Sequence, residues 1–281
     1  MLLNPCTVHV PKTLDELKDL HATLENVRLQ AGGTFLLNAL KLLKRNGAKT
    51  PQNIISLNKV GELKGVEMTR EGLMVRSMTT IDELFNASLQ DNFAALRVAC
   101  RNISTQPIRN MATVGGNLTC RYTWTEMPAV MTGLRATMHF ISNEGASSLS
   151  AEAFYKLNAK TDKILTHVII PHDPKACIAY QRVKKTQFVD IPMLSLMINT
   201  RPEKGAFGDT VVAVNNCVDF ARRDTKLEDF LNGKKFNESL IQEAVENRNN
   251  EIYERRAGDY KKHMFIVSLK KALREICAKA S

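Results

Sequence analysis

Apolar and polar positions change rhythm several times along the first sixty residues. Thr7 to Val10 predicts a short strand that stops at Pro11. Leu14, Leu17, Leu20 and Leu24 then recur at near-helical spacing, so one apolar face is expected on a helix starting after Thr13. Thr13 suits an N-cap, and Asp15 and Glu16 fall in the first turn, where acidic side chains favour the positive helix end. Val27 to Leu29 predicts a second strand. It runs into Ala31-Gly32-Gly33-Thr34 and from there into an apolar helical run.

The middle of the chain is richer in strands. Asn53 to Leu57, Val66 to Met68 and Leu73 to Met78 are predicted strands, with Gly72 turning between the last two. Thr80 is placed to cap a helix carrying Ile81, Leu84 and Phe85, and a further helix is predicted from Phe93 to about Ile103. Residues 108–118 are expected to be irregular, Glu126 to Ala136 a buried helix, and Met138 to Ile141 a strand. Ser150 caps a short helix, and Ile164 to Ile170 is a β-prone run ended by Pro171. Pro171-His172-Asp173-Pro174 brackets a polar turn and is the best boundary in the sequence. Beyond it come three strands (Cys177 to Val183, Pro192 to Asn199, Val211 to Val214) and helices at 227–231, 238–247 and about 260–277. The pattern predicts an α+β chain with an N-terminal domain over 1–172, in lobes of about 1–57 and 58–172, and a smaller α+β domain over 175–281.

The 281 residues are 44% hydrophobic and 24% charged, an ordinary globular balance that excludes a disordered tail or a fibre. No run approaches the roughly 18 apolar residues of a membrane span, and the opening residues lack a secretory pattern. A cytoplasmic location is the resulting expectation. The six cysteines lie far apart with no C-x-x-C pair, which argues for buried thiols rather than disulfides or a metal cluster. A formal charge of +10 raises an acidic partner or nucleic acid, but the basic residues are dispersed and one Trp with five Tyr offers little for base stacking.

Two glycine sites stand out. One is Leu29-Gln30-Ala31-Gly32-Gly33-Thr34-Phe35-Leu36; the other is Thr113-Val114-Gly115-Gly116-Asn117, with Arg109 just upstream. Paired glycines let backbone approach a ligand closely, and successive N–H groups can converge on an anion. Neither site has the spacing of G-x-G-x-x-G or of a P-loop. Two such sites in one domain suggest a diphosphate-bearing cofactor. No H-x-x-x-H spacing and no G-x-S-x-G occurs, so neither a metal site nor a nucleophilic serine is expected.

A-G-G-T-F-L at 31–36 with I-R-N-M-A-T-V-G-G-N-L at 108–118 resembles the two FAD-diphosphate motifs of the FAD-binding (medium) subunits of molybdenum hydroxylases, the xanthine dehydrogenase and carbon monoxide dehydrogenase group. Further stretches follow the same order: Asn53 to Leu57 with Gly61 to Val66, Ile164 to Pro171, Ala179 to Val183 with Asp190-Ile191, and Tyr253 to Leu273. The resemblance implies a two-lobed FAD-binding domain of the vanillyl-alcohol-oxidase (PCMH) type. It implies FAD held by Leu29, Gln30, Ala31, Gly32, Gly33, Thr34, Phe35 and Leu36 on one side and by Thr113, Val114, Gly115, Gly116 and Asn117 on the other. Glu126 falls at the position of an acid that binds a FAD sugar hydroxyl, Ile103 and Leu165 at apolar contacts, and Arg182 where the family carries a lysine near the flavin. Implied partners are a [2Fe-2S] small subunit and a molybdopterin-containing large subunit, with NAD⁺ or another acceptor taking the electrons.

The chain departs from the family in two places. Cys120 to Thr125 is one residue shorter than usual and brings Tyr122 and Trp124 near the cofactor, as packing or ring-stacking groups. Arginine at 182 replaces a titratable ammonium with a permanent charge. Two other functions remain open on the sequence: a stand-alone FAD reductase of the same superfamily, such as an enolpyruvyl-sugar reductase, and a basic nucleic-acid-binding module.

Overall fold

The computed structural model describes residues 4–120, 125–157, 161–184, 186, 191–216, 220–254 and 258–280. The first layers alternate strand and helix: β1 (Thr7–His9), α1 (Leu14–Thr23), β2 (Val27–Gln30), α2 (Leu36–Arg45) and β3 (Asn53–Ser56). The three strands form a parallel sheet in the order β1-β3-β2. Thr13 caps α1 by accepting the Glu16 N–H at 3.2 Å. Leu17 of α1 is wholly buried in a small core with Ile55, Leu57, Val60 and Leu63.

The chain then builds β4 (Val66–Met68), β5 (Leu73–Arg76), α3 (Ile81–Asn86), α4 (Ala94–Asn102), α5 (Gln106–Arg109), α6 (Val114–Thr119), α7 (Met127–Gly133), β6 (Thr137–Ser142), β7 (Gly145–Ser150), α8 (Ala151–Lys156) and β8 (Ile164–Ile170). Five of these strands form an antiparallel sheet, β4-β5-β8-β6-β7. Thr80 and Glu83 close a capping box on α3, each side chain satisfying the other's backbone N–H. Gly72 sits at φ +136°, and a Cβ there would lie 2.0 Å from the Ile170 carbonyl oxygen, so this turn admits glycine alone.

After Pro174 come β9 (Cys177–Val183), β10 (Leu194–Thr200), β11 (Val211–Asn215), β12 (Arg222–Arg223), α9 (Thr225–Leu231), α10 (Glu238–Glu246), α11 (Asn250–Glu254) and α12 (Asp259–Ala280). Their antiparallel sheet runs β12-β11-β10-β9. Leu196, Ile198, Val212 and Val214 point to a core shared with α9, α10 and α12. The alternate residues Met197 and Ala213 point the other way, into the core of the five-stranded sheet. α7 lies at this junction with all seven residues buried. Its Gly133 is needed there: a Cβ would stand 2.5 Å from the Met197 sulfur, while Asn199 Nδ2 donates to the Gly133 carbonyl at 3.0 Å. Asp224 ties the closing helices, accepting from the Leu227 N–H at 3.0 Å, the Asn249 N–H at 3.0 Å and the Tyr253 hydroxyl at 2.7 Å.

The architecture is α+β, in agreement with the sequence pattern. Besides two short elements that the pattern does not predict, β12 and α11, it differs in two places. Residues 106–119 are not irregular but contain the short helices α5 and α6. β7, with sequence GASSLS, was absent from the expectation because it is mostly exposed, small and polar; it is held by pairing with β6 across a turn closed by Gly145.

Candidate flavin-binding site

The first glycine turn begins where β2 ends. Leu29 and Gln30 still pair with Ile55 and Ser56 of β3, and Leu29 and Ala31 pack on the small core beneath. Gly32 is then pressed against another stretch of backbone: a Cβ would fall 1.8 Å from the Met111 carbonyl oxygen. Gly33 follows at φ +69°, the left-handed region that a β-carbon disfavours. Thr34 and Phe35 lead into Leu36 and α2, whose N-cap residue, Phe35, makes no side-chain hydrogen bond. Among the described residues the N–H groups of Gly33 and Thr34 have no partner. This turn presents donors.

The second turn is built differently. Thr113 caps α6, its hydroxyl accepting the Gly116 N–H at 3.1 Å. The Val114 N–H donates to the Thr79 carbonyl at 2.9 Å, that of Gly115 to Ser77 at 2.8 Å, and that of Asn117 to Thr113 at 3.0 Å. All four N–H groups from 114 to 117 are engaged by the chain itself, so the convergence of N–H groups expected of both turns is confined to the first. Gly115 is fixed by packing, since its Cβ would come 2.7 Å from that of Ser77. Gly116 is not. Its Cβ would meet Thr113 Oγ1 at 3.0 Å and, beyond it, only Ala31 Cβ at 3.7 Å. The bare face of Gly116 thus looks towards the first turn. Beside it, the buried Asn117 Oδ1 and Ser77 Oγ lack hydrogen-bond partners among the described residues.

The remaining sequence-derived positions fall in three places. Leu165 on β8 is buried in the main core, next to Thr166, whose carbonyl accepts the Ser77 N–H; it therefore backs the second turn. Ile103 caps the C-terminal end of α4, packed on the same core. Its carbonyl lies 3.4 Å from Arg109 Nη1, and Arg109 also pairs with Asp82 and lies over Phe85, so that arginine works as a brace for α3 and the loop after α4. Glu126 and Arg182 meet each other, forming a buried ion pair between the start of α7 and β9. The Tyr180 hydroxyl donates to the second carboxylate oxygen of Glu126. Burial pushes the Glu126 carboxyl above its ordinary range, against the pull of Arg182 and Tyr180. Tyr122 and Trp124 lie outside the described residues.

Ser77 and Tyr180 were not singled out as site residues. Ser77 carries no local motif and becomes visible only because β5 ends under Gly115; Tyr180 could have been found from its place two residues before Arg182 on one strand, where both side chains share a face.

The arrangement fits a dinucleotide diphosphate: unpaired donors on one turn, a second glycine turn packed close beside it with Gly116 facing Ala31, and orphaned polar atoms at the junction. Comparison with known proteins agrees. Residues 4–173 match the family described as the FAD binding domain in molybdopterin dehydrogenase. The chain is 26% identical to the glyceraldehyde dehydrogenase medium chain of Sulfolobus acidocaldarius, over 90% of this chain and 91% of that one. It is 23% identical to the carbon monoxide dehydrogenase medium chain of Hydrogenophaga pseudoflava, covering 85% and 84% respectively. Among solved structures, carbon monoxide dehydrogenase from the same organism superposes with a TM-score of 0.90 at 23% identity, covering the whole of both chains. Quinoline 2-oxidoreductase from Pseudomonas putida gives 0.87 at 22% identity, covering 100% of this chain and 99% of that one. The chain therefore belongs to the FAD-binding medium subunits of the molybdenum hydroxylases, and FAD is its cofactor.

Proposed function

We propose that this chain is the electron-transfer subunit of a molybdenum-dependent hydroxylase or dehydrogenase complex. It would work beside a [2Fe-2S] subunit and a molybdopterin-containing subunit. FAD, when bound, would supply the redox chemistry for carrying electrons from the iron–sulfur subunit to NAD⁺ or another acceptor. The observation that carries this reading is the meeting of the two glycine turns, one from the parallel-sheet lobe and one from the antiparallel-sheet lobe, with the bare face of Gly116 aimed at Ala31.

In this reading Gly33 and Thr34 donate their N–H groups to the diphosphate, and Leu29 to Leu36 shape the strand, turn and helix start that present them. Thr113 and Asn117 offer a hydroxyl and a carboxamide from the opposite side, with Val114, Gly115 and Gly116 as the wall. Glu126 and Arg182 close the far end. Their buried pair would fix the orientation of the guanidinium, whose N–H donors could then serve the flavin end of the cofactor. Ile103 and Leu165 supply apolar backing. The family resemblance supports each of these roles, and the geometry of the two turns supports the first four most directly.

The test is native purification of the chain, followed by flavin, iron and molybdenum analysis of whatever co-elutes. The proposal expects one FAD per chain, with iron and molybdenum in the same particle. A chain that carries flavin, elutes alone and reduces a substrate by itself would point to a stand-alone reductase instead.

A further inference from the structure

α2 is amphipathic, with a wide apolar face. Its sequence LLNALKLLKR places leucines at 36, 37, 40, 42 and 43, yet only Leu40 is buried. Leu37 is 43% exposed and Leu42 48%, and Leu43 is exposed as well. A helix with this pattern ordinarily has its apolar face covered by a neighbour. α1 makes the contrast on the opposite face of the same sheet: Leu17 is buried, while Asp15, Glu16 and Asp19 line the outside. The exposed apolar surface extends beyond α2. Val8 pairs in register with Ile54, and Ile54 lines a cleft with Leu40 and Cys6, so Val8 stands on the α2 side of the edge strand β1. Val8 is 54% exposed, and Val10, two residues on, is also exposed.

The segment that carries α2 has charge of one sign. From Asn26 to Gly61 there is no aspartate or glutamate, whereas Arg28, Lys41, Lys44, Arg45, Lys49 and Lys59 all fall within the stretch. Three of the six are on α2 itself. An apolar centre with a basic rim selects a partner whose apolar side chains are ringed by carboxylates. A second copy of this chain is disfavoured, because a two-fold contact through this face would set the same cations against each other.

We propose that the outer surface of α2 and β1 docks an acidic-rimmed protein subunit of the complex to which this chain belongs. The inference rests on the assembly reading above for the existence of that subunit. Its place in the fold gives the contact a consequence. α2 is ten residues long, roughly 15 Å, and begins directly after the first glycine turn. A subunit seated along α2 is therefore anchored on the element that presents Gly33 and Thr34.

The experiment compares tagged wild-type chain with Leu42→Glu and Arg45→Glu, each produced with its native co-assembling subunits and analysed by size-exclusion light scattering and flavin content. Neither residue belongs to the glycine turns. The expected result is an intact complex for wild type, loss of partner from Leu42→Glu with flavin retained, and at least tenfold weaker, more salt-sensitive association for Arg45→Glu. A Leu42→Glu complex as tight as wild type overturns the docking surface while leaving the assembly reading standing. A wild-type chain that never co-elutes with another subunit overturns the assembly reading and this inference with it. Two further outcomes also overturn it: self-association of wild type abolished by Leu42→Glu, and wild-type binding to phosphatidylserine vesicles lost in the same variant.

Discussion

The two glycine turns carry nearly the same motif and use it in different ways. At the first, both glycines are demanded by the chain itself, Gly32 by the Met111 carbonyl and Gly33 by its positive φ, and the N–H groups of Gly33 and Thr34 stay available. At the second, only Gly115 is demanded by packing, every N–H from 114 to 117 is engaged within the chain, and Gly116 has no steric reason of comparable force to lack a side chain. One turn offers donors and the other a bare glycine that lets the two turns approach closely. A glycine pair read from sequence thus conflates three separate reasons for glycine: backbone contact, backbone conformation and the close approach of a second turn.

Substitutions separate these reasons, and the largest effect is expected at Gly32. Gly32→Val places a Cβ within 2 Å of backbone that cannot retreat without moving Met111 and Ala112, so roughly 3 kcal/mol or more of stability should be lost, together with FAD. Denaturant unfolding of the apo-protein measures it; an unchanged midpoint would mean the turns are not in contact. Glu126→Ala serves as a comparison away from both turns. It leaves the Arg182 guanidinium buried without its carboxylate and should cost about 3 kcal/mol in the same measurement. Glu126→Leu combined with Arg182→Met should recover most of that loss, since replacing a buried pair with apolar groups is often neutral.

Gly33→Val comes next. Positive φ should cost about 1–2 kcal/mol of stability, and the distorted donors should abolish FAD retention while the chain still folds. Thr113→Ala is the smallest. It removes the α6 cap and one hydroxyl, weakening FAD by about 0.5–1.5 kcal/mol, or up to about tenfold in Kd, in a flavin titration. A loss as large as that from Gly33→Val would show that the second turn, too, binds mainly through a polar group.

Much of the fold was legible because local chemistry and tertiary packing agree. Thr13, Thr80 and Ser150 cap the helices they precede, and the run Ile164 to Ile170 is a central strand of its sheet. What was not legible depends on contacts distant in sequence. β7 has no alternation of its own and exists as the partner of β6. The site divides in the same way. The glycines were visible as motifs, but the engagement of the Val114 and Gly115 N–H groups, and the pairing of Glu126 with Arg182, required the segment after β5, and β9, to be brought to them. The exposure of the α2 leucines is not legible in the sequence, which shows amphipathicity but not which face the fold leaves uncovered.

The account turns on Gly116, of the four glycines in the two turns the one that packing and conformation constrain least. The decisive measurement is the FAD content of purified Gly116→Val, taken together with its unfolding midpoint. The account predicts a folded chain, within about 1 kcal/mol of wild type, that has lost its flavin absorbance and does not regain it on incubation with FAD. Full FAD occupancy in Gly116→Val would contradict it, because the close approach of the two turns would then not be what holds the diphosphate.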